Sequence, residues 1–470
     1  MHAVLPACAA MLALLPAIGP AQAASKPAYV PDQGEALAAP APAILPLRQQ
    51  AKLRNGWLAD RLDTLVPALM REQGVDMWIL VAREYLEDPV VATMLDAESF
   101  HARRRTILVF FDPGGGRPVE RLTVSRYGLG GLFAPAWKPE EEPDQWRRLG
   151  QIVAERAPKR IAVNISADSA FADGLTKSQH DALVTALPEG YRGRLVPAGD
   201  LAIGWLETRT PAEMALYPGI VRIAHAIIAE AFSARVITPG KTTADDVVWW
   251  MRERIAALKL ATWFQPSVHV FRKGKNDVSG DIVIQPGDML WTDFGIVYLG
   301  FSTDTQHLGY VLRPGERDAP AGLKAGLANA NRVQDALTAA FQTGRTGNDM
   351  LVAARATATA QGLNPTIYSH PLGYHGHAAG AAIGFWDDQT PGPRGDHRLR
   401  PNTAWSIELS QTQAVPEWGG QMVQFRTEED GIFDGEKLRF LDGRQTRFHL
   451  IGGAARPLRT GPRPPISARH

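Results

Sequence analysis

Cysteine is almost missing from this sequence: one residue, Cys8, in 470. That excludes a disulfide scaffold, a cysteine-built zinc site and an iron–sulfur cluster. A charge excess is missing too, with 50 Lys and Arg against 49 Asp and Glu. Nucleic-acid binders normally carry a basic excess that displaces counterions from phosphates, and anionic membranes attract polybasic surfaces. Neither pattern is here. Disorder as the whole answer is excluded by a 45% hydrophobic fraction with 12 Trp and 16 Phe. At roughly 150 residues per domain, the length suggests two or three domains with substantial cores.

The first 23 residues contain no Asp, Glu, Lys or Arg. Their apolar run, Val4–Ile18, closes on Gly19-Pro20 and then on Ala21-Gln22-Ala23, a small-residue cleavage pattern. Residues 1–23 therefore read as a signal peptide, which implies an exported protein, periplasmic or secreted. A membrane span needs about 20 apolar residues, and Pro16 and Pro20 interrupt this run. Residues 24–45, rich in Ala and Pro, read as a linker, and residues 456–470, with four prolines, as a flexible tail.

Residues 46–207 read as an α/β layer domain. The apolar spacing Leu53, Trp57, Leu58, Leu62, Leu65, Leu69 predicts a helix over 47–72. Short β-prone runs at 77–82, 106–111, 122–127 and 161–163 then alternate with helical stretches at 145–156 and 180–187. Arg103-Arg104-Arg105 reads as the solvated start of a strand. A boundary is expected within Glu207–Pro211, opening a second domain over 208–455. There, Ile220–Arg235 reads as a helix whose approach is broken by Pro218-Gly219. Thr242 reads as the cap of the next helix, with Asp245 three residues on. Val247, Val248, Met251, Ile255 and Leu258 mark its buried face, and Trp249-Trp250 is expected to pack in the core.

The chemistry lies further on. Met289–Val297 and Phe301–Leu312 read as a hairpin about Tyr298-Leu299-Gly300. Placing Asp293 opposite Asp304 puts the turn in that stretch. Opposed residues of an antiparallel pair have Cβ atoms about 4.5–5.5 Å apart. Two carboxylates that close repel unless a cation or a shared proton compensates, so either a proton-sharing dyad or a metal site follows. The next cluster favours metal. His370, His375 and His377 fall within eight residues, and Glu408 and Glu428 follow in apolar runs, where an unpaired carboxylate is costly. Two Asp, one His and two Glu are five mostly hard ligands suited to two divalent ions.

The motifs run in the order Asp293-x-Gly295, Gly300-Phe301-x-Thr303-Asp304, His370-x-x-Gly373 with His377, Glu408, and Arg426-x-Glu428. In that order the sequence resembles the creatinase/prolidase/aminopeptidase P family, relatives of methionine aminopeptidase. The resemblance implies an α/β N-terminal domain plus an α+β pita-bread C-terminal catalytic domain, the creatinase/aminopeptidase fold. It implies that Asp293 binds one ion, that Asp304 and Glu428 bridge two, and that His370 and Glu408 hold the second. The ions, manganese first with cobalt, zinc or iron as alternatives, would share a hydroxide that attacks an amide bond. Glu408 would take its proton, His377 would donate to the oxyanion, and Arg426 would orient Glu428. The implied activity is that of a metallopeptidase, an Xaa-Pro aminopeptidase or Xaa-Pro dipeptidase. Its partner is a small peptide with proline at P1′, with no nucleic acid and no membrane after signal cleavage, and members of the family often associate into homo-oligomers.

Four departures alter the surroundings of these ligands. Asp304-Thr305-Gln306-His307 stands where the family has Asp-x-Thr-Arg, and Leu409 rather than Pro follows Glu408. The family's pocket histidine ahead of the first Asp has only the distant His269 as a candidate, and His375 is extra. The ligand set is complete and the substrate shell is changed. Two other readings therefore stay open: a non-peptide amide or amidine hydrolase of the creatinase type, and a non-catalytic binding protein with a retained fold.

Overall fold

The computed structural model describes residues 36, 37 and 39–452. The expected signal peptide, most of the linker and the tail lie outside the described residues. The first element is the Leu47–Glu72 helix, which starts after Pro46. Trp57, Leu58, Leu62, Val66, Leu69 and Met70 form its buried stripe, repeating every three to four residues as the leucine spacing predicts. Arg61 shares that stripe, which no apolar pattern reveals. It is buried against Glu213 at 3.1 Å and donates to the carbonyl of Thr208.

The helix covers one face of a six-stranded sheet. The strand Met77–Arg83 runs antiparallel to Arg105–Phe111 and parallel to Ile161–Val163. Alternation along it sends Trp78, Leu80 and Ala82 to the side of the opening helix. Met77, Ile79 and Val81 face the helices Gln145–Arg156 and Lys177–Ala186 instead. The expected α/β layer is present. The strand expected at 122–127 is instead Glu120–Thr123.

The second half is built on a ten-stranded sheet. Its path runs through Pro365–Ile367, Thr403–Val415, Gln421–Phe433, Thr305–Val311, Met289–Phe294, Ser267–Arg272 and Lys275–Val278. The two 13-residue strands Thr403–Val415 and Gln421–Phe433 pair along their whole length. The helices Ala321–Ala340 and Gly347–Ala360 pack on this sheet in one core, and Tyr217–Ala231 and Ala244–Ala257 in another.

Three sequence expectations change here. The helix read as Ile220–Arg235 is Tyr217–Ala231, with Pro218 inside its first turn. A missing N–H costs nothing there, so Pro218-Gly219 starts the helix rather than breaking it. The next helix is capped by Thr243, whose capping box with Asp246 falls one residue later than expected. Trp249 is 51% exposed beneath the Arg252 guanidinium, because Val248 and Met251 take the buried face.

Candidate metal centre

Strand register sets out the site. Asp293 pairs with Gln306, Gln306 with Glu428, and Glu428 with Glu408. Residues in one cross-strand row share a face of the sheet, so three expected ligands lie in line with Gln306 among them. His370 pairs with Ser406, two residues before Glu408 and therefore on the same face. Asp304 immediately precedes the Thr305–Val311 strand.

The expectation that Asp293 directly opposes Asp304 is corrected by this register. The tight turn is Leu299-Gly300, at φ of 56° and 87°, flanked by the pairs Val297–Ser302 and Tyr298–Phe301. Positive φ at both central residues is what a two-residue hairpin turn requires. A turn centred one residue later moves the partner by two, from Asp304 to Gln306. Asp304 reaches the site diagonally. Its carboxylate still comes within 4.8 Å of ligand atoms of Asp293 and Glu428.

Two further groups have ligand atoms within 4.8 Å of one another: His370 with Glu408 and Glu428, and Asp304 with His370 and His377. His370 Nε2 lies 3.6 Å from Asp304 and 3.8 Å from Glu408. Its Nδ1 lies 3.0 Å from the Pro371 carbonyl. A proton on Nδ1 donated there leaves the Nε2 lone pair facing the carboxylates. Gln306 Nε2 donates to Glu408 at 2.8 Å, and Trp291 Nε1 donates to the Gln306 carbonyl at 3.1 Å. The Ser406 hydroxyl donates to Glu428. The backbone N–H of Asp304 donates to the buried Asp430 at 3.2 Å. Gln306, Ser406 and Asp430 thus support the ligands. Only Gln306 had a sequence signal, as a departure from the family pattern.

Burial pushes the Asp293 carboxyl up to about 7. Burial, reinforced by neighbouring carboxylates, lifts Asp304, Glu408 and Glu428 well above the usual range. Burial also drops His370 to about 3, so its imidazole is neutral. Crowded carboxylates beside a neutral imidazole form a site short of positive charge, which divalent cations would supply. Atom by atom the fit is good. Asp293 Oδ1, Glu428 Oε2 and His370 Nε2 are buried without a hydrogen-bond partner. A proton-sharing dyad leaves the histidine and the two glutamates unexplained, whereas hard oxygens with one imidazole suit divalent ions.

The other expected residues fall around this centre. His377 is exposed and stands edge-on to His370, with ring centroids 4.7 Å apart, and 5.1 Å from Trp263. Arg426 is corrected. Its guanidinium bonds Asp277 at 2.6 Å and Gln424 at 3.0 Å and lies over Trp291, with no hydrogen bond to Glu428. His269 pairs across the sheet with Trp291 and bonds Asp277 at 2.5 Å, which puts it on the outer wall. The His375 ring lies tilted against Phe171 of the N-terminal half, with centroids 4.7 Å apart. A cavity of about 270 Å³ opens beside Asp293 and Glu408, lined by Trp291, Tyr368, Trp386 and Arg426 among others.

Residues 219–430 match the model of metallopeptidase family M24. Solved structures share the fold over most of the chain. An X-Pro aminopeptidase from Thermotoga maritima MSB8 is 16% identical, with a TM-score of 0.57, over 82% of this chain and 99% of its own. A dipeptidase from Pyrococcus horikoshii OT3 is 16% identical, with a TM-score of 0.55, over 83% of this chain and 99% of its own. A histidine-to-alanine variant of Escherichia coli aminopeptidase P is 13% identical, with a TM-score of 0.52, over 86% of this chain and 97% of its own. The pita-bread fold expected from the motifs is the one observed. No curated protein sequence matches the chain.

Proposed function

We propose that this protein is an exported dinuclear Xaa-Pro peptidase, an aminopeptidase or dipeptidase that cleaves the amide bond before proline. The observation that carries the reading is the pair of three-ligand groups, Asp293–Asp304–Glu428 and His370–Glu408–Glu428, which share Glu428. The first would hold one ion and the second its neighbour, with Asp304 contributing to both. When bound, the ions supply Lewis acidity and a water acidified to work near neutral pH. Manganese is the first expectation. Glu408 takes the proton of the attacking water, and Gln306 holds Glu408 in place. His377, exposed beside His370, donates a hydrogen bond to the oxygen that gains charge as the amide carbon becomes tetrahedral. The aromatic wall of Trp291, Tyr368 and Trp386 offers a flat apolar surface to a proline-containing peptide. The names of the structural neighbours support this substrate class, and the charge-free leader Met1–Ala23 supports export.

The test is turnover of Xaa-Pro dipeptides and tripeptides by the purified chain, with and without chelator. Chelator is expected to abolish cleavage, added manganese to restore it, and Glu408→Gln to remove it. Cleavage that survives complete chelation, or no cleavage by metal-loaded protein, contradicts the reading. The second outcome favours the retained-fold binding protein.

A further inference from the structure

Behind the metal-binding face of the sheet lies a second cluster that the hydrolytic centre does not use. Glu429 follows Glu428 and His307 follows Gln306, so strand alternation turns both to the opposite face. There they meet His225 of the Tyr217–Ala231 helix. His225, His307 and Glu429 are each at most 1% exposed, and one ligand atom from each lies within 4.8 Å of the others.

The two imidazoles are oriented alike. Nε2 of His225 lies 3.2 Å from Glu429 Oε2, and Nε2 of His307 lies 3.1 Å from Glu429 Oε1. On the outer side, His225 Nδ1 is held by Asp442 at 2.9 Å and His307 Nδ1 by His449 Nε2 at 3.1 Å. Metal-ligating histidines are typically held this way, with the free nitrogen fixed by a second partner. The inner contacts are only partly hydrogen bonds. His225 Nε2 and Glu429 Oε2 are both buried without a hydrogen-bond partner, although they face each other. The hydroxyls of Thr305 and Thr427, on the same face of the two strands, are also buried and unpartnered. With bonds of about 2.0–2.1 Å, ligand atoms around a tetrahedral ion lie about 3.3 Å apart, and the two histidine–Glu429 contacts, at 3.2 and 3.1 Å, are near that length.

We propose that His225, His307 and Glu429 form a further metal site, separate from the hydrolytic centre, which takes one borderline divalent ion of the zinc class. Two imidazoles and one carboxylate suit zinc better than a hard ion such as magnesium or calcium. Being closed to solvent, the site is structural: the ion ties the Tyr217–Ala231 helix to the Thr305–Val311 and Gln421–Phe433 strands. Metal binding takes both imidazoles in the Nδ1–H form, directed at Asp442 and His449, and any proton held on an Nε2 passes to solvent. The competing arrangement is an ion network without metal. There, against the pull of burial, the hydrogen bond to Asp442 and the facing Glu429 carboxylate raise His225 to about 10 and make it the cation between them.

Zinc alone is the probe. Crystals of the full chain grown with zinc are expected to give an anomalous peak bounded by His225, His307 and Glu429. In solution, Asp293→Asn with Glu408→Gln disables the hydrolytic centre, and that variant is expected to retain one zinc per chain after dialysis. Adding His225→Gln should remove that ion. No peak in the wild-type crystal, or a zinc content that His225→Gln leaves unchanged, overturns the proposal. Neither result depends on peptidase activity.

Discussion

Gln306 is a neutral amide set in a row of carboxylates, between Asp293 on one strand and Glu428 on the other. Its two ends do different jobs: the nitrogen donates to Glu408, and the oxygen accepts from Trp291. Gln306→Leu keeps the volume and removes both bonds. Loss of such an outer partner typically weakens metal binding about 10–100-fold, and that drop is expected in a calorimetric manganese titration. Unchanged affinity would show that Gln306 positions nothing. His377 makes a separate prediction. A donor to developing negative charge contributes chiefly to the transition state, so His377→Ala is expected to lower kcat by about 10²–10³ with KM nearly constant. His375, turned to Phe171, should tolerate the same change within a few-fold.

At the scale of elements, one indole joins the two ligand-bearing loops. Trp263 Nε1 donates to the Thr303 carbonyl at 2.9 Å, next to Asp304, and its ring lies edge-on to His377. Gly295 and Gly376 leave room for it. A Cβ on Gly376 would sit 2.2 Å from the Trp263 ring, and one on Gly295 would sit 2.3 Å from the Thr303 carbonyl oxygen. Gly376→Ala is therefore expected to displace Trp263 and His377. It should cost about 1–3 kcal/mol in a denaturant titration and lower kcat with it. Wild-type stability and rate together would contradict this packing. The sequence made the ligands legible because their order and spacing are chemical constraints, and it made the Leu47–Glu72 helix legible because its leucines follow the helical period. The Asp293–Gln306 register was not legible. It turns on a one-residue shift of the hairpin turn, for which the only local signal is Gly300, a glycine suited to the positive φ of a central position. The position of Arg426 was equally hidden, since its partner Asp277 lies 149 residues away.

For the whole molecule, buried carboxylates tie stability to metal and to pH. In the metal-free protein, burial raises Asp293 from its ordinary 3.8 to about 7, so the native state binds more protons than the unfolded chain between those values. The stability it contributes is complete below about 4 and is lost as pH rises through about 7. The chelated protein is therefore expected to lose Tm between pH 5 and pH 8, with manganese restoring most of it at the upper end. A Tm that rises over that interval without metal would contradict the assignment. The central claim is that the carboxylate–histidine cluster on the curled sheet is the hydrolytic machinery. Its most direct test is a titration of manganese into stripped protein, with bound metal and Xaa-Pro cleavage read on the same sample. Cleavage should rise with occupancy of the cluster, saturate when two ions fill it, and be absent at every occupancy in Glu408→Gln. Cleavage before any metal binds, or full occupancy without cleavage, would contradict it.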